Sequence, residues 1–294
     1  MSEIYTALAY GKINLYLDVL NKMENGYHNV ESIMQSVSLC DRVTLDISDN
    51  TDAEENQIEI ICSSAKIPND KSNIVFKCAS KYLEQTKVNG KHCVFSIEKN
   101  IPVAAGMAGG SADGAAALKL LNQAFGNILS EKDMCKLGAS VGADIPFCLT
   151  GGTCICRGIG EDITPIKSFK DVFLVCAIDS SSVSTPCAFA MLDEKFGTNC
   201  KSSGDIYQMV NAIENMDYSL ISSSLYNKFE SVITPINENV QKIKDILIEN
   251  GAIGALMSGS GPSVFGIFSN EISQKNACDA LKNCSINAFL CKTI

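Results

Sequence analysis

The sequence predicts an α+β protein of two domains, and three observations carry that expectation. Its 294 residues amount to about two domains at the usual ~150 residues each. Cys93, Phe95 and Ile97 alternate with more polar neighbours as a half-buried strand does. Shortly downstream, Ala117, Leu118, Leu121, Ala124 and Phe125 recur at helical spacing.

Composition excludes several classes of function. With 46% hydrophobic residues, 19% charged residues and no tryptophan, the chain reads as an ordinary globular protein. A formal charge of −9 argues against nonspecific binding of a nucleic-acid polymer, which needs clustered Lys and Arg. Fourteen cysteines without a signal-peptide layout read as reduced thiols in a cytoplasmic protein, and only two histidines argue against zinc. The longest clean apolar run, Val172 to Ile178, falls far short of the roughly 20 residues a membrane span needs.

Taken in order, Ile13, Leu15, Leu17 and Val19 line one strand face, with Lys12, Asn14 and Tyr16 on the other. Asn25-Gly26 marks a tight turn. Val43, Leu45 and Ile47, then Ile58 and Ile60, predict strands around an exposed acidic loop from Ser48 to Asn56. Ser72 or Asn73 caps a helix carrying Ile74, Val75, Cys78, Ala79 and Tyr82. A second capped helix starts at Ser130 with Asp133 and ends near Gly142, while Pro146 pushes Ile145 toward an extended conformation. Cys154 and Cys156 sit in a strand between glycine turns, and the domain boundary follows, near residue 160. Later come the strand Val172 to Ile178, a helical pattern with Ile206, Met209, Val210 and Ile213, and another with Ile221, Leu225 and Phe229. A helix bearing Val240, Ile243 and Leu247 ends at Asn250-Gly251, and two strands then flank the turn Ser258 to Ser263.

The candidate chemistry centres on Pro102, Val103, Ala104, Ala105, Gly106, Met107, Ala108, Gly109, Gly110, Ser111 and Ala112, a glycine-rich turn between a strand and a helix. Unpartnered N–H groups at a helix start attract phosphate, and glycines let it approach closely. A loop whose small residues only permit close helix packing fits the same pattern. Neither a P-loop nor a GxGxxG fingerprint is present. Lys12 is either a rim residue or a phosphate or substrate contact. Tyr27 and His28 suit a heterocycle, or are surface residues past a turn. Asp144 either closes a turn or is a carboxylate held for general-base work. Gly259 and Ser260 fit a tight backbone turn beside a ligand.

Together, Ala9 to Asn14, Pro102 to Ala112 and Leu256 to Ser263 resemble, in order, the three motifs of the GHMP small-molecule kinase superfamily. That superfamily includes galactokinase, homoserine kinase, mevalonate kinase and phosphomevalonate kinase. Lys12-Ile13-Asn14-Leu15, Gly26-Tyr27-His28 and Gly142-Ala143-Asp144-Ile145-Pro146-Phe147 are similar to the branch acting on a cytidine diphosphate-linked methylerythritol. The resemblance runs from about Ala9 to about Phe268. Met107 replaces the usual Leu, Ala112 a common second Ser, and Gly114 the typical Ala. The missing hydroxyl at 112 weakens one phosphate contact on this reading, and Gly114 costs its helix at most about 1 kcal/mol.

The resemblance implies a two-domain GHMP-kinase-like fold with the active site in the interdomain cleft. Residues 1–160 would form the N-terminal ATP-phosphate-binding domain and residues 161–294 the C-terminal substrate-side domain. It implies transfer of the ATP γ-phosphoryl group to the 2-hydroxyl of 4-(cytidine 5'-diphospho)-2-C-methyl-D-erythritol, in non-mevalonate isoprenoid-precursor synthesis, with Mg2+ bridging the phosphates. Residues 102–112 would hold those phosphates. Asp144 would act as general base, and Lys12 would keep it ionised and stabilise charge at the attacking oxygen. Asn14 would orient the polyol, Tyr27 stack on cytosine, His28 hydrogen-bond its edge and Phe189 cover its other face, with Gly259 and Ser260 on the substrate side. Of metal ligands, only Ser111 suggests itself. Two competitors stand beside this reading. One is a sibling kinase for mevalonate-like or homoserine-like acids, which has no use for Tyr27-His28. The other is a noncatalytic nucleotide-binding regulator, against which Lys12 and Asp144 together speak.

Overall fold

The computed structural model describes residues 3–50, 55–179, 183–200 and 202–294. The chain divides into two compact units, one comprising Met1–Gly11, Cys40–Val103 and Ala108–Thr150, the other Lys12–Leu39, Ala104–Met107 and Gly151–Ile294. This division interleaves where a linear boundary near residue 160 was expected. Its cause is two long strands, β1 (Glu3–Lys22) and β2 (His28–Asp49), each of which runs through both units.

In the first unit the later half of β2 pairs antiparallel with β4 (Lys91–Glu98), from Arg42 opposite Glu98 to Asp49 opposite Lys91. Strand β3 (Gln57–Cys62) pairs parallel with β4 on its other side. Four helices, α1 (Ile74–Thr86), α2 (Gly109–Ala124), α3 (Glu131–Ala139) and α4 (Ile145–Thr150), complete the unit. Asn73 caps α1 by accepting from the Val75 amide, and Ser130 caps α3 by accepting from the Asp133 amide. The α1 stripe Val75, Cys78, Ala79 and Tyr82 packs with Val43, Leu45, Phe95, Leu118 and Leu121 into one apolar core. A Cβ at Gly114 would lie 2.8 Å from Ile74 and 3.0 Å from the Cys78 sulfur. The departure from Ala therefore lets α1 and α2 approach closely.

Three local expectations fail here. Helix α3 stops at Ala139, before Gly142, and Ile145 opens α4 instead of extending. Pro146 occupies the second position of α4, where a missing N–H costs nothing and the fixed φ suits a helix. Ser48 and Asp49 belong to β2, so the expected acidic loop starts later, and its residues 51–54 lie outside the described residues.

The second unit pairs the early half of β2 with β5 (Thr153–Arg157), Ser32 opposite Cys156, and β5 with β6 (Asp162–Pro165). A separate antiparallel sheet runs β11-β7-β10-β9, from β7 (Phe173–Ile178), β9 (Gly254–Met257), β10 (Ser263–Phe268) and β11 (Asn287–Lys292). Helices α6 (Ile206–Asn215) and α9 (Glu238–Glu249) match the expected patterns, while α5 (Thr185–Phe196) carried no sequence expectation. The single helix expected over Ile221, Leu225 and Phe229 is instead α7 (Tyr218–Ser224), the two-residue strand β8 (Tyr226–Asn227) and α8 (Glu230–Ile233). Pairing overrides the helical spacing: Tyr226 lies opposite Tyr16 of β1, and Asn227 Nδ2 donates to the Met257 and Gly259 carbonyls at 2.7 and 2.8 Å. Helix α10 (Glu271–Asn283) and β11 carried no sequence expectation. Among the described residues no cysteine forms a disulfide. No helix among the described residues is long and apolar enough to cross a membrane.

Candidate active site

Alternation along β1 puts Lys12 and Asn14 on one face, and that face is buried, at 4% and 1% exposure. A rim position for Lys12 is thereby ruled out. The Lys12 ammonium donates to Asn14 Oδ1 at 2.8 Å, and it makes no ion pair among the described residues. Asn14 Oδ1 also accepts from the Gly259 amide at 3.1 Å, while Asn14 Nδ2 donates to Ser32 Oγ at 2.8 Å. The Asn14 amide N–H reaches Ser258 Oγ at 3.2 Å. Asn14 is therefore a strut between β1 and the turn that follows β9, and it aims Lys12.

The apex of the glycine loop joins the same cluster. The Met107 carbonyl accepts from the Lys12 amide at 3.0 Å, and Ser263 Oγ donates to the Ala105 carbonyl. Gly106 adopts φ +73°, and a Cβ there would lie 2.8 Å from the Ser258 carbonyl and 3.0 Å from that of Gly261. Only glycine fits such contact with two backbone oxygens. Thus Lys12, Asn14, residues 105–107 and the Ser258–Ser263 turn, three stretches distant in sequence, form one polar cluster in the second unit. Ser260 extends it through a 2.9 Å hydroxyl contact with Thr185 at the start of α5.

Left-handed backbone recurs at Ala104, Gly106 and Ala108, with φ of 58°, 73° and 56°. For an alanine this costs roughly 1–2 kcal/mol, strain of the kind that gathers at ligand-binding turns. Helix α2 begins directly afterwards, and its N-cap Ala108 offers no side-chain cap bond. The first-turn N–H groups therefore keep their attraction for an anion. Ala112 is 2% exposed and belongs to the apolar core. A hydroxyl there would face the core, so the phosphate contact expected to be missing is not lost.

In the first unit, Asp144 occupies the turn just before α4, half-buried, and its carbonyl accepts from the Cys148 amide at 3.1 Å. A Cβ on neighbouring Gly142 would lie 3.7 Å from Ser111 Oγ, in the first turn of α2. The carboxylate is thus carried by a turn fixed next to the start of the glycine-loop helix.

Tyr27 is 60% exposed, whereas His28 is only 8% exposed and is no surface residue. His28 Nε2 pairs with Asp193 Oδ1 at 2.8 Å, and its ring stacks on Phe189 with centroids 4.5 Å apart. Phe189 in turn meets Phe229 edge-on at 5.0 Å. Burial pushes the Asp193 carboxyl up, but hydrogen bonds from Lys22 and His28 outweigh it and hold it below the usual range. An ionised Asp193 accepts the Nε2 proton, which fixes the ring and leaves Nδ1 as the nitrogen open to a ligand. Sequence reasoning missed Asp193, although it lies four residues after Phe189 on α5 and so shares its face. It also missed Ser32, which no local pattern distinguishes from an ordinary strand serine, and the bond from the Asn14 amide to Ser258, a residue within the third motif.

The GHMP kinases N terminal domain family matches residues 73–152, and the GHMP kinases C terminal family residues 209–287. Fold and matches together define an ATP-dependent small-molecule kinase of the GHMP class. A 4-diphosphocytidyl-2-C-methyl-D-erythritol kinase of Caldicellulosiruptor bescii is 41% identical over 274 residues, 93% of either chain. Another, from Clostridium kluyveri, is 40% identical across 97% of this chain and 99% of its own. The crystal structure of a 4-(cytidine 5'-diphospho)-2C-methyl-D-erythritol kinase aligns at a TM-score of 0.80 and 25% identity, covering 98% of this chain and 99% of that one. The chain belongs to the 4-diphosphocytidyl-2-C-methyl-D-erythritol kinase family.

Proposed function

We propose that this protein transfers the γ-phosphoryl group of ATP to the 2-hydroxyl of 4-(cytidine 5'-diphospho)-2-C-methyl-D-erythritol, in non-mevalonate isoprenoid-precursor synthesis. One observation carries the residue-level reading: Lys12 is buried with no carboxylate partner among the described residues, at the point where the glycine loop meets the Ser258–Ser263 turn. A buried ammonium without a counter-charge is costly unless an anion arrives to match it. Phosphoryl transfer brings that anion, because charge accumulates on the transferring group and its flanking oxygens.

The backbone of residues 102–112 holds the ATP phosphates on this reading. Asp144 takes the proton of the acceptor hydroxyl, and Lys12 stabilises charge at the attacking oxygen. Asn14 serves the polyol by fixing Lys12, and Gly259 and Ser260 form the wall beside it. Exposed Tyr27 stacks on cytosine, and His28 Nδ1 accepts from its exocyclic amino group, with Phe189 backing the imidazole. The described residues contain no group of three or more His, Cys, Asp or Glu able to hold a metal. The Ser111 hydroxyl is a hard oxygen donor that fits Mg2+, with ATP and water completing the shell. When bound, Mg2+ would supply positive charge that neutralises the phosphates. The phosphate role falls to the glycine loop and the start of α2, and recognition of the polyol and cytosine to residues of the second unit, among them Asn14, Tyr27 and His28.

Magnesium-dependent ADP release tests the function, with the cytidyl acceptor run beside mevalonate, homoserine and no acceptor. Preference for the cytidyl compound is expected. Activity with another acceptor alone rejects the cytosine roles, and ATP binding without ADP release favours a regulator. Asp193→Ala frees the His28 ring, and is expected to raise KM for the cytidyl acceptor about tenfold with KM for ATP unchanged. Equal KM changes for both substrates would remove Asp193 from base recognition.

A further inference from the structure

Beneath the glycine loop lies a buried charge cluster that the proposed chemistry leaves unused. Lys99 precedes the loop, Asp113 follows it in the first turns of α2, and Asp41 comes from β2, all in the first unit. The Lys99 side chain is 5% exposed and those of Asp41 and Asp113 are 0% and 4%. The Lys99 ammonium donates to Asp113 Oδ2 at 2.6 Å and to Asp41 Oδ2. Asp41 Oδ1 also accepts the backbone amides of Asn100 and Ile101, at 2.5 and 2.8 Å. The Asp113 Oδ1 is buried and has no hydrogen-bond partner among the described residues. A Cβ on Gly109 would lie 3.3 Å from the Lys99 ammonium and 3.0 Å from Ile101, so the start of α2 passes directly over the cluster.

Resting on the reading of residues 102–112 as the ATP-phosphate loop, we propose that Lys99 and Asp113 are positioning residues that clamp the loop's two stems together and so set its affinity for ATP. Asp41 fixes the entering stem at residues 99–101 through its two backbone contacts. The lysine carries that fixed point across to Asp113 on the leaving stem. Between the stems the chain turns left-handed at Ala104, Gly106 and Ala108, and a strained turn keeps its shape only when its ends are held. Burial pushes the Lys99 ammonium down, yet the two carboxylates outweigh it and keep the lysine charged. Asp113 has no capping role, for the α2 N-cap makes no side-chain bond. A purely structural ion pair would affect both substrates alike, whereas the clamp acts on the nucleotide alone.

The test measures KM for both substrates, calorimetric Kd for a nonhydrolysable Mg-ATP analogue, and melting temperature on the full chain. Asp113→Ala cuts the tie to α2 and leaves the neutral Lys99–Asp41 pair in place. It is expected to raise KM and Kd for the nucleotide about tenfold, with KM for the cytidyl acceptor within about twofold. Asp113→Asn keeps an acceptor for Lys99 and should restore nucleotide affinity to within about threefold of wild type. Lys99→Met severs both ties and should show the same nucleotide-selective loss, which decides the matter if Asp113→Ala does not fold. Unchanged nucleotide Kd overturns the clamp, as does equal loss for both substrates in step with a lower melting temperature. Wild-type protein that binds the analogue but does not phosphorylate the cytidyl acceptor rejects the acceptor reading, and the Kd comparison still decides the clamp. Wild-type protein that does not bind the analogue overturns the loop reading and the clamp with it.

Discussion

Lys12→Met is expected to lower kcat/KM about 10²- to 10³-fold while leaving the melting temperature at or above that of wild type. The two effects have a common origin. In the free protein the ammonium is 4% exposed, hydrogen-bonded to Asn14 Oδ1 and unmatched by any carboxylate among the described residues. Methionine fills nearly the same volume and removes the desolvated charge, which relieves the fold. Asn14 Oδ1 keeps its bond from the Gly259 amide, so the strut between β1 and the following turn survives. Each kcal/mol regained would raise the midpoint by about 2–4 °C in a chain of this size. What is lost is a preorganised positive charge for the transferring phosphoryl group. Thermal melting beside steady-state kinetics gives the answer: a variant both inactive and clearly less stable would mark Lys12 as a structural residue. Lys12→Arg should not rescue, because the site buries a compact ammonium and a planar guanidinium is larger and presents its charge differently.

The chemistry of this site was legible where a residue type is rare in its setting. A lysine in an apolar strand, glycines between a strand and a helix, and an aspartate between a helix end and a proline each stand out from their neighbours. The supports of those residues were not legible. Ser32, Ser258 and Asp193 act through hydrogen bonds to residues 18, 244 and 165 positions away, and nothing local reveals those partners. The same distinction runs through the fold. Helix α1 and the start of α3 follow from capping residues and apolar spacing, which are local. The break at Tyr226–Asn227 follows from pairing with β1, about 210 residues upstream, which no window over Ile221, Leu225 and Phe229 contains. Ile145 shows a local rule yielding to another: the restriction before proline gave way to proline's suitability in the first turn of α4.

Asp144→Asn is expected to lower kcat about 10²- to 10⁴-fold, with nucleotide Kd within about twofold of wild type. The substitution is mild for the fold. The turn before α4 is held by the Asp144 carbonyl accepting from Cys148 and by the Ile145 amide donating to Gly142, bonds that do not involve the side chain. Asparagine keeps the size of the carboxylate and still hydrogen-bonds the acceptor hydroxyl, so KM for the acceptor should change little. It cannot take the proton. Because phosphoryl transfer depends mostly on alignment and charge, both left intact by the variant, residual turnover is expected above background. Single-turnover measurement of phosphoryl transfer separates that step from product release and makes the comparison direct. A single-turnover rate equal to wild type would place the hydroxyl proton elsewhere, on water or on a phosphate oxygen, and would leave Asp144 as no more than a residue of the turn that opens α4.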